Sequence, residues 1–115
     1  MLTPGGNYLY QYMQNAAGET GNGTAIETTG ATTGGLKTLT MQVTGTFVGT
    51  VTFEGTVDAT NWVSLLCTSV TAGSTATTAT APGVVRVDCS GLTQVRARVS
   101  AYTSGSITVI GLAVA

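Results

Sequence analysis

A chain of 115 residues makes one domain, long enough to bury about two-thirds of the surface its unfolded form exposes, so neither a disulfide nor a metal is required for folding. Charged residues make up 8% of it, against about 25% in an ordinary soluble protein, and Thr, Ser and Gly take their place, which suits a surface packed against neighbours. With a net charge of -1 and only Lys37, Arg86, Arg96 and Arg98 as cations, the chain has no basic field for a phosphate backbone, which excludes nucleic acid as the partner.

The chain opens MLTPGGNYLYQYMQNAAG, which lacks the positive n-region and continuous apolar h-region of a signal peptide, so the protein is expected to stay where it is made. TPGG and AAGETGNG bracket NYLYQYMQ, which holds Tyr8, Tyr10 and Tyr12 at strand spacing. Residues 1–23 therefore read as an extended N-terminal arm, and residues 24–115 as the folded domain. Aromatic side chains are enriched at interface cores, so the arm either adds to a neighbour's sheet or packs on its own domain. In the first case the domain folds without it.

From Leu36 onward the apolar residues recur with period two, the signature of pleated strands. Leu39, Met41 and Val43 share one face, and Phe47, Val51 and Phe53 share the next, with Thr50, Thr52 and Glu54 opposite. Residues 55–61 turn the chain. Asp58 and Asn61 are turn residues there, and the same carboxylates beside Trp62 raise the competing reading of a sugar or calcium site. Calcium needs six to eight oxygens, more than this loop supplies, so the turn is preferred.

In NWVSLLCTSV, Val63, Leu65 and Cys67 alternate against Trp62, Ser64 and Leu66. The Ser/Thr/Ala/Gly stretch from 68 to 83 reads as a loop, with or without a short strand, closed by Pro82-Gly83. Then Val85, Val87 and Cys89 alternate against Arg86 and Asp88, and Val95, Ala97 and Val99 against Arg96 and Arg98. The two arginines share a face. They form either a clamp for a partner's carboxylate or a surface pair with Asp88 or Glu54. The last run, ITVIGLAVA, is apolar on both faces and too short to cross a bilayer as a helix, so it is a central strand or one whose outer face a neighbouring subunit covers.

Short strands punctuated by turns predict an all-β fold, an antiparallel jelly-roll-like β-sandwich. No histidine is present, and no serine lies in a nucleophile-elbow or Ser-x-x-Lys context, so no catalytic residue, cofactor or small-molecule substrate is expected. Cys67 and Cys89 fall on the apolar phase of their strands and are expected as free thiols.

The run VTGTFVGTVTFEGTVDATNWVSLL, a Thr/Ser/Ala/Gly spacer, and PGVVRVDCSGLTQVRARVSAYTSGSITV together resemble the small β-sandwich virion proteins of tailed bacteriophages. The resemblance spans residues 36–109 and transfers no individual site residue. It implies a non-enzymatic structural role: a capsid decoration (cement) protein, a homo-oligomer on the outer surface of the head bound to the major capsid protein. The alternatives are a tail, baseplate or fibre component, and a carbohydrate-binding module that uses an exposed Trp62. Partner contacts are expected from Tyr8, Tyr10, Tyr12, Arg96 and Arg98.

Overall fold

In a computed structural model, which describes residues 8–28 and 35–115, the chain is all-β, with two antiparallel sheets packed as a jelly-roll-like sandwich. The strands are β1 (Tyr8–Ala17), β2 (Ile26–Glu27), β3 (Thr38–Thr44), β4 (Phe47–Thr56), β5 (Val63–Ser64) and β6 (Cys67–Ser69). There follow β7 (Thr75–Ala76), β8 (Thr78–Ala79), β9 (Gly83–Asp88), β10 (Gln94–Gly105) and β11 (Ile107–Val114). One sheet has the order β1-β11-β3-β9-β6-β7, and the other β2-β10-β4-β5, with β8 also pairing with β4. Most connections therefore cross between the sheets, and only the β4–β5 and β6–β7 links stay within one.

The core follows the period-two pattern. Leu39, Met41 and Val43 of β3, Val51 and Phe53 of β4, Val95, Ala97 and Val99 of β10, and Ile107 and Val109 of β11 are all buried between the sheets. Cys67 and Cys89 are buried free thiols. Burial pushes Cys67 up to about 12, and burial together with the Asp88 charge pushes Cys89 up to about 11. Thiolates are the reactive form, so both groups are inert in the folded protein at neutral pH.

The segment expected as an arm over 1–23 differs from that expectation in its described part. Tyr8–Ala17 is an edge strand of the same sandwich, paired along its length with β11 from Tyr8↔Val114 to Ala17↔Ile107. Of the two placements the sequence leaves open, packing on its own domain is the one present. The register shifts between Tyr12 and Gln14, a bulge that turns the adjacent Met13 and Gln14 both inward. Met13 is 1% exposed and joins the core. The Gln14 amide crosses to the other sheet, donating to Ala97 O at 2.8 Å and to Gly21 O at 3.1 Å, and so satisfies a buried polar group.

Residues 62–67 also depart from simple alternation. Val63 and Leu66 are exposed, while Leu65 packs on the core and Cys67 is buried. The cause is the crossing: β5 pairs with β4 in one sheet and β6 with β9 in the other, so the chain turns between two short strands. The Ser/Thr/Ala/Gly stretch makes a similar crossing, with β7 beside β6 and β8 beside β4.

Candidate functional sites

The turn at Asp58 is built from its own side chains. Asp58 Oδ1 accepts from Thr60 N at 2.9 Å, Asn61 N at 2.8 Å and Thr56 Oγ1 at 3.1 Å, and Oδ2 accepts from Asn61 Nδ2 at 2.7 Å. The backbone bond from Asn61, with those from Thr60, holds the carboxyl far below its usual range. The same bonds hold Ala59 at a φ of 65°, a conformation that non-glycine residues rarely adopt. Both carboxylate oxygens are spent on the loop, as the turn reading requires. Among the described residues no three His, Cys, Asp or Glu side chains converge as a metal site.

Trp62 lies on the outer face of the second sheet, where β4 and β10 place Glu54 opposite Arg96 and Thr52 opposite Arg98. Glu54 Oε1 accepts from Arg96 Nε at 2.8 Å and Arg98 Nε at 3.1 Å, and Oε2 from Arg98 Nη2 at 3.1 Å. The Arg96 guanidinium sits 4.0 Å from the Trp62 ring centroid. This cation–π cover explains why Glu54, on the outer face, is only 7% exposed. Of the two readings of the arginines, the surface pair with Glu54 is the arrangement present, and the Arg96 guanidinium covers one face of the Trp62 ring.

Burial raises the Glu54 carboxyl, and the bonds and charges of Arg98 and Arg96 more than reverse this, leaving it below its usual value. A depressed carboxylate stabilises the fold above its unfolded pKa, and that stability is lost as pH falls through the folded one. Glu54→Gln is accordingly expected to lower stability by about 2 kcal/mol at pH 7, because two guanidiniums lose their anionic acceptor. Urea denaturation at pH 7 and pH 3.5 measures it. The difference between the proteins should shrink at the lower pH, and an equal difference at both would refute the ion-pair explanation.

Tyr8, Tyr10 and Tyr12 do come together with other apolar residues. Their strand places them on the outer face of the first sheet, opposite Val114, Leu112 and Ile110 in register. Exposure is 48% for Tyr10, 47% for Tyr12, 39% for Leu112 and 38% for Val114, so the six side chains form one apolar strip. A depression of about 370 Å³ lies among Tyr8, Tyr10, Leu112 and Val114. A second, of about 270 Å³, lies among Tyr10, Ile110, Leu112, Thr40, Gln42 and Val84. The β11 residues were not among the expected contacts, although the apolar character of both faces of that strand was the signal for them.

Two further surfaces stand apart. A shallow depression of about 780 Å³ on the first sheet is lined by Lys37, Arg86 and Asp88 with Thr68, Ser69 and Ser90. At the Asp58 turn, the exposed Val57 and Val63 flank a hollow of about 350 Å³ that reaches Leu92.

No family model matches the sequence, and no curated protein matches it. Two solved structures share the fold. The SPBc2 prophage-derived protein YomS superposes with a TM-score of 0.84 at 18% identity, over 100% of this chain and 99% of that one. The PBSX exported protein XepA superposes with a TM-score of 0.87 at 18% identity, over 98% of this chain and 39% of that one, so this chain spans well under half of XepA.

Proposed function

We propose that this chain is a non-enzymatic structural protein of a tailed-phage particle, a capsid decoration protein that lies on the outer surface of the head and bridges subunits of the major capsid protein. The observation that carries the reading is the end-to-end match of the sandwich to a prophage-derived protein of the same extent, since 99% of that chain is covered. Local chemistry supports it. The acidic side chains at Glu54 and Asp58 are consumed by structure, and the exposed apolar groups form surfaces suited to contact. The low charge adds that attachment should depend weakly on salt, because there is little Coulomb energy to screen.

Each bridge need contribute only a few kcal/mol, because many copies engage one shell together. The test compares heads carrying the protein with heads stripped of it, and follows DNA retention on heating. Decorated heads should retain DNA to a higher temperature. Equal survival, or recovery of the protein only with purified tails, overturns the decoration role and favours a tail component.

A further inference from the structure

We infer that the tyrosine strip on β1 and β11 is the contact between two copies of this chain, packed face to face about a two-fold axis. The inference deepens the assembly reading without requiring the head location, since it holds equally for a tail component.

Three observations point to a second copy as the occupant. The first is charge. The strands that carry the strip, YLYQYMQNAA and ITVIGLAV, contain no Asp, Glu, Lys or Arg. A charged partner finds no complement there, whereas a second copy brings no like charges together on these strands. The second is shape. Tyr10 and Leu112 line both depressions, so they form the ridge between them, with hollows of about 370 and 270 Å³ on either side. A two-fold rotation lays the ridge of one copy in a hollow of the other, and the reciprocal contact follows by symmetry, as an isologous interface requires.

The third is area. Tyr10, Tyr12, Leu112 and Val114 at these exposures, together with the half-buried Tyr8 and Ile110, present about 400 Å² of surface, from the size of aromatic and aliphatic side chains. The flanking Thr40, Gln42 and Val84 extend the patch toward the roughly 800 Å² per partner of a standard interface. Two sheets stacked in this way match the packing of the sandwich itself, about 10 Å apart. The dimer is then four sheets deep. The Val57 and Val63 hollow, which these strands do not line, is left for the third-party contact.

Sedimentation velocity of the full chain from about 1 to 200 µM tests the inference, in the range where an interface of this size associates. The expected result is a concentration-dependent shift from one 11.5 kDa chain to two. Leu112→Arg places a charge on the ridge and should raise the dissociation constant at least ~100-fold, as loss of a central anchor does. Thr78→Arg, exposed on the other sheet, should leave it unchanged. Because Leu112→Arg risks misfolding, photochemical dityrosine cross-linking of the unaltered protein supplies an independent reading. It should join two chains through Tyr8, Tyr10 or Tyr12. A monomer at every concentration, a closed ring of three or more copies, or cross-links through Tyr102 alone would each overturn the two-fold strip contact.

Discussion

A chain lacking residues 1–23 is expected to lose cooperative folding, not merely an attachment. The deleted segment supplies Met13, one of the largest fully buried side chains, and Gln14, whose amide joins β1 to Ala97 of the opposite sheet. It also covers one side of β11, leaving a long apolar strand as a new open edge, which is a template for aggregation. A milder version isolates the packing term. Met13→Ala should lower stability by about 3 kcal/mol, the usual cost of truncating a fully buried methionine. Urea unfolding followed by near-ultraviolet circular dichroism measures both variants. A truncated chain that unfolds cooperatively at the midpoint of the full one would restore the arm.

Gly45→Ala and Gly105→Ala are each expected to lower the melting temperature by on the order of 10 °C, from a cost of about 3 kcal/mol in a domain of this size. The β3–β4 and β10–β11 turns pack against each other through these glycines. Gly45 has a φ of 112° and Gly105 a φ of 93°, and Ser106 N donates to Thr46 O at 3.0 Å between them. A Cβ on Gly45 would run into the Ser106 carbonyl oxygen, and one on Gly105 into that of Thr46. Backbone cannot give way as a flexible side chain does. Gly73 and Gly91 serve as internal controls, because their φ values of 73° and 82° are also positive but an added Cβ meets open space. Alanine there should cost only about 1 to 2 kcal/mol, the left-handed penalty alone. Equal losses at all four positions, measured by calorimetry, would show that the collision adds nothing.

Strand periodicity carried β3 and residues 95–99 of β10 from sequence to structure, because each lies in the middle of a sheet with one face on the core. Beyond Val99 two register shifts interrupt β10, and residues 103–105, which read as a turn, continue the strand. It failed at particular points for particular reasons. Met13 and Gln14 both face inward because a bulge shifts the register, and a period-two reading has no term for an extra residue. Val63 is exposed because the chain leaves one sheet for the other within four residues. Glu54 is buried on a nominally outer face because Arg96, Arg98 and Trp62 roof it, a closure built from residues far apart in sequence. For the candidate contact surface, alternation of the three tyrosines and the two-sided apolar character of β11 were both visible. Their adjacency was not, since pairing between residues about a hundred positions apart leaves no local trace.

The pairing of Tyr8 with Val114 places both ends of the described sandwich side by side on one sheet. A load applied between residues 8 and 114 therefore pulls along the line that separates β1 from β11 like a zipper, breaking rungs singly at low force. A load that enters through the sheet faces is shared by many rungs at once. The same adjacency brings residues 8 and 114 of the described sandwich to one place on its surface.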